Sequence, residues 1–169
     1  MIGTNNKKAV LDNVYNSGAV QRGAGLISTN LGTATISNSY NVGSISDETL
    51  REKSTAGLVG YSKGKTTIIN CFNAAPVYGY AVVGGLVGAH WTDTLTIINS
   101  YNAGPVKDAY SEHNYGIVGM AEVYNSWNSK THEYDKLVHD DKYAVYMYNV
   151  FSLMGLEDHT QLSIQASPA

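Results

Sequence analysis

Few side chains in this sequence are equipped for chemistry: one cysteine, Cys71, five histidines and fourteen acidic residues. Cys71 has no second thiol and no histidine at metal-ligand spacing, so it neither closes an internal disulfide nor begins a metal site. Gly60-Tyr61-Ser62-Lys63-Gly64-Lys65-Thr66 ends like a phosphate-binding loop, but three residues separate its glycines where four are required. Val59 stands where the first glycine belongs and no helix pattern follows, so the segment reads as a polar turn. His132-Glu133-Tyr134-Asp135-Lys136 begins like a zinc-protease helix, whose histidines must recur at i, i+4 to face one metal, and Lys136 occupies the second ligand position. His139-Asp140-Asp141 reads as solvated charge, and Gly23-Ala24-Gly25 lacks the third glycine of a dinucleotide fingerprint. No catalytic residue, cofactor or metal is expected, and the chain is read as noncatalytic.

Flat aromatics beside polar groups are the other chemistry on offer, because such pairs suit sugar faces and protein surfaces alike. Tyr78 and Tyr80, His90 and Trp91, and Tyr110 and His113 lie in variable segments and form the candidate ligand surface. Packing of each loop onto its own neighbour is the competing reading.

The elements that carry these loops are set by internal repetition. One motif reads Asn, small, aromatic, Asn, and appears as Asn13-Val14-Tyr15-Asn16, Asn38-Ser39-Tyr40-Asn41, Asn70-Cys71-Phe72-Asn73 and Asn99-Ser100-Tyr101-Asn102, with a degraded copy at Asn125-Ser126-Trp127-Asn128. Its aromatic positions step by 25, 32, 29 and 26 residues. Between the copies lie Gly25-Leu26-Ile27-Ser28, Gly57-Leu58-Val59-Gly60, Gly85-Leu86-Val87-Gly88 and Gly116-Ile117-Val118-Gly119. A period near 28 residues means one supersecondary unit per repeat, each burying its apolar face against its neighbours. Short β-branched runs such as Thr66-Thr67-Ile68-Ile69 make the unit strands rather than helix.

The expected fold is therefore all-β, a β-solenoid of about four to five coils with a divergent C-terminal cap. Coils about 4.7–4.9 Å apart stack like residues on like. Asn13, Asn38, Asn70, Asn99 and Asn125 form one candidate amide ladder, and Asn16, Asn41, Asn73, Asn102 and Asn128 another. Either column has a second reading, as asparagines that tolerate left-handed turns. The aromatic column is expected to pack inward or stack along the axis, and Cys71 to be a small buried filler in the column of Ser39 and Ser100.

Residues 11–130 hold the repeats, residues 1–10 lead in, residues 131–160 form a capping element and residues 161–169 a tail. The run Lys142 to Met154 is expected as a capping strand pair or a short helix laid across the last coil.

The alternation of Gly-Leu-Val-Gly with Asn-Ser-Tyr-Asn over residues 11 to 128 resembles the bacterial GLUG repeat. That resemblance implies a secreted or surface-attached setting, as in adhesin-like chains and repeat regions of M26 immunoglobulin A1 proteases, and it transfers no catalytic residue. It makes the expected location extracellular or cell-surface, although the first residues carry no signal-peptide pattern.

Charged residues are 15% of the chain against a usual share of about 25%, the net charge is −3, and the eleven Lys and Arg are scattered. Neither a nucleic-acid surface nor a membrane span fits. The expected partner is a glycan or protein surface, with the chain serving as an adhesive or spacer module. The alternative is copies of the chain itself, joined through open coil edges into a fibre, and a polymer-degrading enzyme or protease-associated region is a third reading.

Overall fold

The structure, a computed structural model, describes residues 1–48, 54–80, 82–109, 115–121, 127–128, 133–134 and 145–153. Among these there are strands and turns and no helix. The first coil comprises β1 (Ile2–Asn5), β2 (Lys8–Asp12), β3 (Tyr15–Asn16) and β4 (Val20–Gln21), and the second β5 (Ile27–Asn30), β6 (Thr33–Ser37), β7 (Tyr40–Asn41) and β8 (Ile45–Ser46). The third adds a leading strand: β9 (Ser54–Ala56), β10 (Val59–Ser62), β11 (Thr66–Ile69), β12 (Phe72–Asn73) and β13 (Val77–Gly79). β14 (Val82–Gly84), β15 (Val87–His90), β16 (Leu95–Asn102) and β17 (Val106–Asp108) make the fourth. Beyond it lie β18 (Val118–Ala121), the short pair β19 (Trp127–Asn128) and β20 (Glu133–Tyr134), and β21 (Val145–Ser152).

Apart from β19 and β20, the strands pair in parallel with their counterparts one coil away, and this makes the molecule a β-solenoid of about four turns. One sheet runs β1-β5-β10-β15-β18, and a third β4-β8-β13-β17. The second runs β2-β6-β11-β16, with β3, β7 and β12 stacked on the far half of β16. β9 and β14 form a short fourth face, and β19 with β20 is antiparallel.

Both apolar residues of each Gly-Leu-Val-Gly enter the main core: Leu26 and Ile27, Leu58 and Val59, Leu86 and Val87, and Ile117 and Val118 meet Ile36, Ile68 and Ile97 of the second sheet. Val20, Ile45, Val77, Val83 and Val106 form a smaller core against the third sheet. Each such side chain contributes about 1.5–3 kcal/mol on leaving water, so strands of two to five residues hold because their neighbours are stacked, not because they are long.

The two asparagine columns differ. Asn16, Asn41, Asn73 and Asn102 form an inner ladder in which each Nδ2 donates to the Oδ1 of the next coil, at 2.8, 2.7 and 2.8 Å. The same Nδ2 also donates at 2.8 Å to the carbonyl two residues ahead, at Gly18, Gly43, Ala75 and Gly104, closing a turn. Asn41, Asn73 and Asn102 are fully buried. Asn38, Asn70 and Asn99 lie on the surface in the left-handed region, at φ of 50°, 53° and 48°, which a short polar side chain tolerates. Their Nδ2 atoms point the opposite way, toward the preceding coil, and the chain of amides ends on the Asp12 carboxylate, 2.9 Å from Asn38 Nδ2. Hydrogen bonds from Ser37, Asn38 and Asn13 hold that carboxyl below its ordinary range, although desolvation works the other way. Asn125 lies outside the described residues and the side chain of Asn128 is not described.

The buried ladder explains why the two motifs alternate. A Cβ on Gly57 would stand 2.4 Å from Asn73 Cγ and from the Gly85 carbonyl oxygen, and one on Gly85 2.4 Å from Asn102 Cγ. Gly25, Gly57 and Gly85, the first glycines of their motifs, are thus the floor on which Asn41, Asn73 and Asn102 of the other motif lie.

The aromatic column stacks along the axis on the outside. Tyr15, Tyr40, Phe72, Tyr101 and Phe151 lie with successive centroids 5.3, 4.8, 5.2 and 5.2 Å apart and planes within 10°. The fifth ring is Phe151 and not Trp127. β21, expected as a capping pair or a short helix, is a single strand in parallel register with β16, pairing Phe151 with Tyr101 and placing Asn149 under Asn99. The step from Asn99 to Asn149 is 50 residues, against 25 to 32 for the inner ladder. An insertion therefore displaces the fifth copy along the sequence while the register is kept. Cys71 is buried, with its Sγ donating to the Ile69 carbonyl at 3.1 Å, and burial raises its thiol pKa, which suits a filler and not a nucleophile.

Candidate functional site

A groove of about 360 Å³ opens on the flank of the first sheet. That lies within the range of small-molecule clefts, about 300–1,000 Å³. Ser28 and Thr29 of β5 and Tyr61 of β10 form its base, Trp91 follows β15, Ser54 opens β9, and the corner Arg22-Gly23 follows β4. Three coils contribute, and stacking alone brings them together: Thr29 pairs with Tyr61 in register, and Tyr61 with Ala89, two residues before Trp91.

Tyr61 and Trp91 meet with centroids 6.1 Å apart and planes at 60°, a tilted pair with one apolar wall each. Burial raises the Tyr61 pKa, so its hydroxyl stays a donor. Among the described residues, no protein group bonds the hydroxyls of Ser28, Thr29, Ser54 or Tyr61 or the guanidinium of Arg22. Arg22 is exposed, has φ of 72°, and its backbone N–H donates to the Ser46 carbonyl at 2.9 Å. Gly23 has φ of 116°, and a Cβ there would stand 2.4 Å from Ser28 Oγ, so a side chain at this corner would fill the groove.

Trp91 is held from below by its neighbour. His90 is 2% exposed, with Nε2 3.1 Å from the Asp93 carbonyl oxygen and Nδ1 3.2 Å from Ser62 Oγ. A carbonyl only accepts, so Nε2 carries the hydrogen of the neutral ring, a tautomer assigned from the network, and Nδ1 faces the Ser62 hydroxyl, which itself donates to the Gly64 carbonyl at 3.0 Å. Burial lowers the His90 pKa below 6.5, outweighing the Asp93 carbonyl and carboxylate, which raise it. Asn5, Asn30, Ser62 and His90 share one register column, and Asn5 Nδ2 donates to Asn30 Oδ1 at 2.8 Å while Asn30 and Ser62 both bond Thr66. The Trp91 backbone N–H donates to the Ser62 carbonyl at 3.0 Å and Thr92 Oγ1 to the Lys63 carbonyl.

Of the six residues expected at a ligand surface, Trp91 lines the groove and His90 anchors it from inside. Tyr78 and Tyr80 are half-buried near the third sheet and do not line it, and Tyr110 and His113 lie outside the described residues. Sequence reading missed Tyr61, Arg22, Ser28, Thr29 and Ser54. The available signal was Arg22, a cation beside Gly23 in the stretch between the two motifs.

Among the described residues no carboxylate or thiol lines the groove, and no group of three His, Cys, Asp or Glu side chains is placed to hold a metal. The arrangement offers two aromatic surfaces, four hydroxyls and a cation, which is recognition chemistry. No family model, no curated protein and no solved structure matches the chain.

Proposed function

We propose that this chain is a noncatalytic β-solenoid module of the GLUG type, displayed on or secreted from a bacterial cell, and that its flank groove binds a glycan. The resemblance of the repeats supports the setting. The observation that carries the binding reading is the groove itself, where Tyr61 and Trp91 offer apolar faces beside four hydroxyls that no protein group engages among the described residues. Sugars present that alternation of C–H faces and hydroxyls. The stacked coils serve as the rigid support, because three of them must keep register for the groove to exist.

A glycan screen with the full chain tests this. Saturable binding that falls about tenfold or more in Trp91→Ala and Tyr61→Ala, with unfolding unchanged, is the expected outcome. Binding indifferent to both substitutions would remove the groove from consideration.

A second reading, assembly of copies through coil edges, is favoured by a separate observation: Tyr15 ends the ring stack 62% exposed, and β2 and β3 pair on one side only among the described residues. Light scattering over a concentration series tests it. Growth that a proline at Val10 blocks would support assembly, and a monomer at all concentrations would end it.

A further inference from the structure

We infer that the groove selects acidic saccharides, with the Arg22 guanidinium pairing a sugar carboxylate while Tyr61 and Trp91 hold the ring faces. The inference rests on the glycan-binding reading above and adds the chemical class of the ligand.

The first reason is the backbone. Arg22 sits at φ of 72°, a conformation that costs an arginine free energy and an asparagine little. The chain places asparagine at this kind of position five times, at Asn13, Asn38, Asn70, Asn99 and Asn149. At the groove it places arginine instead, so ease of the turn does not account for the residue. The second reason is the missing partner. Among the described residues the guanidinium has no ion pair or hydrogen bond, and none of those that line the groove is acidic. The third is field. The chain as a whole carries −3, so an anion is drawn only where a local cation stands uncompensated. A planar fork of N–H donors matches a carboxylate in two parallel bonds, which a hydroxyl cannot reciprocate. Ser28, Thr29 and Ser54 then face the hydroxyls of the same sugar across the groove.

Uronates and sialic acids share this chemistry, and the test separates them. Calorimetry with the full chain would use an oligogalacturonate and sialyllactose, each beside its methyl ester, which keeps shape and removes charge. The expected result is that one acid binds about ten to a hundred times more tightly than its ester, that added salt narrows the gap, and that Arg22→Asn abolishes it. Arg22→Asn relaxes the turn, so the variant folds and its binding loss is readable. Equal binding of acid and ester, lost in Trp91→Ala but unchanged in Arg22→Asn, would overturn the acidic class and leave glycan binding standing. No binding of any saccharide, acidic or neutral, would overturn both. Binding of an acidic peptide in place of the sugars, dependent on Arg22, would likewise overturn the assignment.

Discussion

The inner asparagine ladder and the flank groove lie on one solenoid and are built by opposite rules. In the ladder both N–H groups of the buried Asn41 and Asn73 amides are engaged, one within the coil and one to the next. In the groove, four hydroxyls and a guanidinium bond no protein group among the described residues. The first is polar chemistry turned inward to hold register, the second polar chemistry left for something else. A repeated polar residue in a stacked fold therefore argues for structure, and a singular one beside it for recognition.

That contrast breaks first if glycine is not needed under the ladder. Gly57→Ala should remove cooperative unfolding or cost on the order of 4 kcal/mol, because both the Asn73 side chain and the Gly85 carbonyl would have to move. A denaturant curve matching the parent would mean the ladder is slack. Asn73→Ala comes next, at about 3 kcal/mol, since the Asn41 amide and the Ala75 carbonyl lose their buried partners. Asn70→Ala, in the exposed outer column, should cost only about 1 kcal/mol, mainly for the left-handed backbone, and Asn70→Gly close to nothing. Equal losses at Asn70 and Asn73 would erase the difference between the two columns.

The groove side yields smaller stability effects and larger binding ones. Trp91→Ala should change stability by less than about 1 kcal/mol while removing ligand binding, measured by denaturation and calorimetry on the same sample. His90 links the two regions through pH. Unfolded, it takes up a proton near 6.5, and folded only at lower pH, so in that interval the unfolded chain binds more protons. Its contribution is complete above pH 6.5 and is lost as pH falls toward the folded value. Trp91 fluorescence in a Trp127→Phe background should shift over the same interval, and His90→Gln should flatten the response.

Much of the scaffold was legible before folding. The Asn-x-aromatic-Asn and Gly-Leu-Val-Gly copies give strand class, period and columns, because stacking requires the same residue types at the same place in each coil. Less of the site was legible. Trp91 stood out as a bulky ring in a variable loop, but Tyr61 lay inside a segment that resembled a failed phosphate loop, and Ser28 and Thr29 read as ordinary strand residues. The fifth copy misled for a related reason: Asn125-Ser126-Trp127-Asn128 keeps the motif better than Asn149-Val150-Phe151-Ser152, yet the latter holds the register with β16. Pattern similarity measures side chains, whereas register is settled by a whole strand, and Val145–Ser152 supplies eight residues that match β16 along its length.

Residue order alone thus decides that this chain stacks, with what period and with which columns, since those follow from local pattern and the need to bury short apolar runs. Only the folded stack decides that Asn73 lies over Gly57, that His90 turns inward while Trp91 lines the groove, and that Arg22 shares that groove with Tyr61 and Trp91 of the next two coils. Those meetings join residues 16 to 69 positions apart in sequence, from Gly57 with Asn73 to Arg22 with Trp91, and no local pattern encodes a contact whose distance is set by the summed lengths of the loops between.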